Sequence, residues 1–208
     1  MTKSSLKMAK KLAKSREINN SFFHKQIREI IKGKKNFLIT NDNEDDAIEI
    51  LSSIFRYSED TVHLFANNKK ANVSNNPLYE LAVRDFLRRE GKVFLVLNRP
   101  IDKIEKAFLI YKLLAIYEIE KPQLVQIVVA DETFKSDVKK IFKGELCNFC
   151  VGDKEFVRVE YDTSKFSAKA NYSPELGKEL SQIIQACIHR TKKEKKDEVV
   201  NRVALQRT

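Results

Sequence analysis

The sequence predicts an α/β domain: a mixed, largely parallel central sheet flanked by helices, with a basic helical arm at its N-terminus. Three observations predict it. Short β-type runs alternate with stretches of helical periodicity along most of the chain. Two of those runs, Lys92–Leu97 (KVFLVL) and Leu124–Val129 (LVQIVV), are almost continuously apolar, as strands covered on both faces are. With 208 residues, 42% of them hydrophobic, and only five Gly and four Pro, the chain can pack one core.

Residues 1–20 (MTKSSLKMAKKLAKSREINN) set Leu6, Ala9 and Leu12 among lysines. Such an arm either folds as a helix on a partner or stays mobile without one. Phe22, Phe23, Ile27, Ile30 and Ile31 then recur at helical spacing, and Gly33 supplies a stop. Asn36–Thr40 (NFLIT) reads as a short strand. The acidic run Asp42 to Asp46 opens a helix whose apolar side is Ala47, Ile48, Ile50, Leu51 and Ile54. Carboxylates in a first turn meet the positive end of the helix dipole, and the run lacks the spacing and glycine of a calcium loop. Thr61–Ala66 (TVHLFA) is a strand, 67–76 a polar loop, and 77–90 a helix with Asn76 as N-cap and Gly91 beyond its end. After the strand at 92–97, Pro100 precedes a long helix expected from Asp102 to Glu118, carrying Ile104, Phe108, Tyr111, Leu114 and Tyr117. The strand Leu124–Val129 leads to a shorter helix, Asp131–Phe142, closed by Lys143-Gly144. Leu146–Val151 and Phe156–Tyr161 flank Gly152-Asp153-Lys154-Glu155, a hairpin in which Gly is expected to take the positive φ. Ala168-Lys169-Ala170-Asn171 then leads to a last helix, with Ser173 at the N-cap and Pro174 at the first helical position, expected to end near His189. No internal repeat is present. The chain divides into a basic arm (1–21), an α/β domain (22–190) and a basic tail (191–208).

Charge is unevenly placed. Of a net +10, residues 1–35 carry +9 and residues 190–208 carry +4, leaving the body at −3. Basic ends on an acidic body hold phosphates through counterion release, anchor to an acidic partner, or keep the protein in solution. No stretch has the length of apolar sequence that a membrane crossing needs, and the basic start lacks a secretory apolar region. Three Cys fit a reducing cytoplasm rather than a disulfide framework.

Common catalytic signatures are missing: no phosphate-binding glycine loop, no nucleophile elbow and no H-E-x-x-H. Cys147 and Cys150 form a C-x-x-C, but residues three apart on a strand face opposite sides, and zinc needs four ligands. Both read as small core residues. His63 lies inside a strand and reads as a core or interface histidine, with no paired nucleophile. Arg158 and Glu160 share one strand face and either pair with each other or meet a partner. No cofactor or metal is expected.

The order of elements and the stretch Leu146–Asn171 resemble the phospholipase D-like family of phosphodiesterases and nucleases. In that family a strand carries H-x-K, four residues intervene, an Asp follows at a turn, and a G-S-x-N-like motif precedes a helix. Here Asp153 stands at the turn position, and counting back puts Leu146 at the histidine and Asn148 at the lysine. Ala168-Lys169-Ala170-Asn171 stands where Gly-Ser-x-Asn would be, keeping Asn171. The resemblance spans about 36–190. The family's imidazole attacks phosphorus and its lysine holds phosphate oxygens, roles that Leu and Asn do not supply. The resemblance therefore implies a degenerate, non-catalytic member, with Asp153 a turn-former. Because active members join two such motifs across an interface, it also implies a homodimer or a heteromeric complex. By the same analogy, the chain is an accessory or regulatory subunit of a bacterial system acting on foreign nucleic acid. DNA or RNA contacts are expected at Lys7, Lys10, Lys11 and Lys14 of the arm and at Lys169 and Asn171. The alternatives are an interaction scaffold without nucleic acid, or a divergent phosphodiesterase using His63.

Overall fold

Thr61–Ala66 (β2), Lys92–Leu97 (β3) and Val125–Val129 (β4) are separated by amphipathic helices, and such crossovers leave successive strands parallel. In the computed structural model, which describes residues 24–66, 71–100, 108–162 and 167–205, β2, β3 and β4 form one parallel half of a seven-stranded sheet. The other half is Ile39–Asn41 (β1), Asn148–Gly152 (β5), Phe156–Asp162 (β6) and Ser167–Tyr172 (β7), and the full order is β1-β7-β6-β5-β2-β3-β4. The helices are α1 (24–33), α2 (Glu44–Tyr57), α3 (Ala71–Ser74), α4 (Pro77–Arg88), α5 (Leu109–Glu120), α6 (Glu132–Ile141) and α7 (Pro174–Leu205).

Strand parity sorts the core into two layers. On one sheet face Val62, Leu64, Leu95, Cys150 and Ala170 pack beneath α1, α2, α4 and α5. On the other, Phe65, Val96, Phe149, Val151 and Val157 pack beneath α6 and α7, which contribute Phe134, Val138, Leu180, Ile184 and Cys187. Each covering helix buries an apolar stripe at helical spacing, the term that dominates such packing. The caps follow local chemistry. Asn43 accepts from the Asp46 N–H at 2.9 Å and Glu44, Asp45 and Asp46 fill the first turn of α2, so the acidic run sits at the helix's positive end. Asn76 caps α4, and Asp131 caps α6 through the Phe134 N–H at 2.6 Å.

The expected α/β class holds, with one change: the sheet is mostly antiparallel. Only β2–β3 and β3–β4 run parallel, because after α6 the chain returns by strand-to-strand connections instead of helical crossovers. β5 pairs antiparallel with β2, β6 with β5, β7 with β6, and β1 closes the edge on β7. The run read as a small motif before the last helix, Ala168–Asn171, is part of β7. The helix expected from Asp102 starts at Leu109, with Phe108 at its N-cap; residues 101–107 lie outside the described ones. The last helix continues past His189 to Leu205, because the lysine-rich run after Arg190 holds no Pro or Gly to stop it. None of the described helices is long and apolar enough to cross a membrane.

Candidate functional site

The hairpin between β5 and β6 is anchored from both sides. The Glu155 N–H reaches the Gly152 carbonyl at 3.0 Å, enclosing Asp153 and Lys154 at φ 49° and 63°. Positive φ at both central residues is the twist that a tight hairpin prefers. It falls on Asp153 and Lys154 instead of Gly152, correcting the expectation from sequence. Gly152 is needed for another reason: a Cβ there would collide with Ser58 Oγ at the end of α2. The Asp153 carboxylate accepts the backbone N–H groups of Glu59, Asp60 and Thr61 at 2.8, 2.9 and 3.0 Å. On the far side, the Ser173 N–H reaches the Glu155 carbonyl at 2.7 Å, and a Cβ on Gly177 would strike the Lys154 carbonyl oxygen. Asp153 is thus a turn residue that also ties the hairpin to the α2–β2 loop.

Farther along the same two strands from this turn, on the α2/α4/α5 face, a partly open cavity of about 90 Å³ borders Asn148–Cys150 and Arg158 and Glu160. Antiparallel pairing sets Asn148 opposite Glu160 and Cys150 opposite Arg158, and all four point to this face. Arg158 and Glu160 are 4% and 6% exposed. Asn148 Nδ2 donates to Glu160 Oε2 at 3.0 Å, while Arg158 Nη2 stands 3.9 Å from Glu160 Oε1. Arg158 Nε has no hydrogen-bond partner among the described residues. Ser74, Tyr79 and Tyr111 bring hydroxyls from α3, α4 and α5. Burial raises Tyr79 well above the usual phenol range and pushes the Cys150 thiol up to about 12, so neither ionises near neutral pH. Burial also pulls the Arg158 guanidinium down, with Glu160 opposing it.

The motif residues are not gathered at this cavity. Asn148 lines it. Leu146 precedes β5 and packs against the apolar cluster on the α6/α7 face. Asn171 pairs with Val157, a residue of that same α6/α7 face, three positions from the row of Asn148. Its amide lies 3.5 Å from Asn36 Oδ1. Lys169 is exposed, with Nζ 5.7 Å from the Tyr161 ring. Lys7, Lys10, Lys11 and Lys14 lie outside the described residues. Cys147 and Cys150 pack in opposite core layers, as strand parity requires. His63 is fully buried on the α7 side, stacked on Phe94 at 4.8 Å, with Gln185 Nε2 donating to its Nε2 at 3.2 Å. Burial, with the nearby Lys154 charge, lowers its pKa to about 3, so the ring is neutral at physiological pH.

The sequence places Arg158 and Glu160 on one face of a strand but carries no local sign of the tyrosines that meet them. The available signal was an Arg and a Glu two apart inside an otherwise apolar strand, Phe156–Tyr161. A buried charged pair needs polar company from the facing helices.

No protein-family model matches this chain, and no curated protein matches it. Among solved structures it is similar to TrmBL2, an archaeal chromatin protein whose structure shows a novel mode of DNA binding, with TM-score 0.51 and 9% identity. That match covers 88% of this chain but 64% of the other, so the chain spans just under two thirds of that relative's length. It is also similar to Nuc from Salmonella typhimurium, a phospholipase D family member, at TM-score 0.46 and 13% identity, over 74% of this chain and 94% of that one. NucT from Helicobacter pylori matches at TM-score 0.47 and 11% identity, over 74% and 96%. At 9% identity the likeness to the archaeal protein concerns the fold alone.

Proposed function

We propose that the chain is a non-catalytic, nucleic-acid-associated protein on a phospholipase D-like scaffold, acting as an accessory or regulatory subunit. The observation that carries the nucleic-acid part is charge segregation: +9 within residues 1–35 and +4 within 190–208, against −3 in the body. Such ends release counterions when they meet phosphates. The fold likeness to an archaeal chromatin protein supports the same reading. The non-catalytic part is supported by the motif positions. Leu146 offers no nucleophile, Asn148 is engaged with Glu160, and neutral His63 lies on the opposite sheet face.

Candidate phosphate contacts are Lys7, Lys10, Lys11, Lys14 and Lys169, with Asn171 close to the last. The test is fluorescence anisotropy of the full chain with double- and single-stranded DNA and with RNA across a salt series. Binding should weaken linearly in log–log form, with a slope of about −0.9 per phosphate contacted on duplex DNA. Reversing the four arm lysines should flatten that slope by several units. A salt-independent response, or no binding at low salt, overturns the reading.

A second reading, an interaction subunit that works as a homodimer or within a heteromeric complex, rests on a separate observation. Leu78 and Leu81 on α4 and Leu109, Ile116 and Ile119 on neighbouring α5 are exposed, Ile119 by 76%. Large exposed aliphatics on adjacent helices suit a protein contact. Light scattering of wild type and of Ile116→Lys tests it: a concentration-dependent dimer lost in the variant supports it, and a monomer throughout removes self-association.

A further inference from the structure

We propose, resting on the reading of the chain as an interaction subunit, that α5 is a dimerisation helix whose partner is a second copy of this chain. The two α5 helices pack antiparallel about a two-fold axis at Ile116, with Lys112 of each copy facing Glu120 of the other.

The composition of α5 supplies the first ground. Leu109–Glu120 reads LIYKLLAIYEIE, apolar or aromatic at every position except Lys112, Glu118 and Glu120. A helix that is apolar all round is ordinarily covered on every side. Here one side is covered, with Ile110, Leu113, Leu114 and Ala115 buried. Both ends of the helix are pinned to the body: the Leu109 N–H donates to Asn75 Oδ1 at 3.0 Å, and Glu118 Oε1 accepts from the Ile127 N–H at 2.6 Å. The opposite side is open. At 3.6 residues per turn, Leu109, Lys112, Ile116, Ile119 and Glu120 fall within an arc of about 100°. Leu109, Ile116 and Ile119 are all exposed there, and Leu78 and Leu81 on α4 widen the apolar surface. A stripe held rigid in this way loses little freedom on docking.

Charge identifies the occupant. Lys112 and Glu120 are the charged residues of the stripe, and neither side chain has a hydrogen-bond or ion-pair partner among the described residues. They stand at equal spacing before and after Ile116, about 6 Å along the helix axis on either side. The stripe is therefore its own complement when turned antiparallel on a two-fold axis at Ile116. Ile116 then meets Ile116, Ile119 packs beside it, and Lys112 meets Glu120 at both ends of the contact. A parallel pair would set Lys112 on Lys112 and Glu120 on Glu120, which like-charge repulsion disfavours. A contact built on one helix face is small, so the dimer should be a weak one of micromolar order.

The experiment is light scattering with sedimentation equilibrium of the full chain over a series of micromolar concentrations. Wild type should dimerise reversibly. Lys112→Glu and Glu120→Lys should each weaken the dimer about tenfold, because each variant sets like charges together at both ends of the contact. Mixed in equal amounts, the two variants should recover the wild-type affinity, since every cross-contact then pairs opposite charges. The double variant, Lys112→Glu with Glu120→Lys, should dimerise as wild type does, which also shows that neither change unfolds the chain. An undiminished dimer in both single variants, or a mixture no tighter than either variant alone, overturns the proposal and leaves self-association to another surface. A wild-type monomer at every concentration overturns the proposal and self-association together.

Discussion

Replacing Asp153 with Ala should destabilise the protein by about 3–4 kcal/mol, although the side chain lies partly exposed in a turn. Three backbone N–H groups converge on this one carboxylate at 2.8, 2.9 and 3.0 Å. Hydrogen bonds to a charged acceptor contribute about 1.5–3 kcal/mol each when buried. Here the donors of Glu59 and Asp60 are exposed and water replaces part of their loss, so about 0.5–1 kcal/mol each is a fair allowance. The partly buried Thr61 N–H adds about 1 kcal/mol. The last term comes from the backbone, since φ is +49° at Asp153, a region Asp tolerates and Ala enters at a cost of about 1 kcal/mol. Urea unfolding of the full chain, followed by far-ultraviolet circular dichroism, measures the sum. Two further variants divide it. Asp153→Asn keeps Oδ1, which serves Asp60 and Thr61, and should lose about half as much. Asp153→Gly loses the bonds but not the backbone freedom, and should fall about 1 kcal/mol short of Ala. If Ala lies within about 0.5 kcal/mol of wild type, as ordinary surface changes do, the carboxylate does not hold the turn to the α2–β2 loop.

Two other outcomes test how the site is held. His63, with a pKa of about 3 when folded and an ordinary value near 6.5 when unfolded, is neutral in both states above pH 6.5. As pH falls from 6.5 toward 3 the unfolded chain takes up the proton first, so stability drops, by about 2 kcal/mol at pH 5. In His63→Leu that part of the loss between pH 7 and pH 5 should vanish; equal pH slopes by urea unfolding would show that the ring is not buried neutral. Gly177→Ala should destabilise by about 2 kcal/mol in the same assay, although Ala favours a helix by about 1 kcal/mol, because the new Cβ meets the Lys154 carbonyl. A stabilised variant would mean that α7 does not approach the hairpin so closely.

Much of the fold was legible because local chemistry and tertiary structure agree. β2 and β3 follow their apolar runs residue for residue, and Asn43, Asn76 and Asp131 cap the helices that follow them. Strand direction was not legible, since no residue of β5 or β7 records which neighbour it pairs with or in which sense. The hairpin was placed correctly, yet its glycine was assigned the wrong task. Gly152 is constrained by Ser58, nearly a hundred residues away in sequence, and such a contact leaves no local mark. The site was half legible for the same reason. Arg158 and Glu160 sit on one strand and announce their common face, whereas Tyr79 and Tyr111 reach them from helices whose spacing speaks only of burial.

Register decides what the motif stretch can become. Asn148 stands opposite Glu160, and Glu160 opposite Ala168, so the face that Asn148 shares with Glu160 continues across the sheet into Ala168 and Ala170. Asn171 is at odd spacing from both alanines and faces the other layer. Bringing Asn171 round to Asn148 would require β7 to slip by one residue. That slip would turn Ala168 and Ala170, 2% and 0% exposed, out of one core layer and drive the Lys169 side chain into it. A buried lysine without a partner is among the most costly changes a core can suffer. The present register therefore sets Asn148 and Asn171 on opposite faces of the sheet, three rows apart. What the register does assemble on one face is the group of Asn148, Arg158 and Glu160, of which Arg158 and Glu160 are buried.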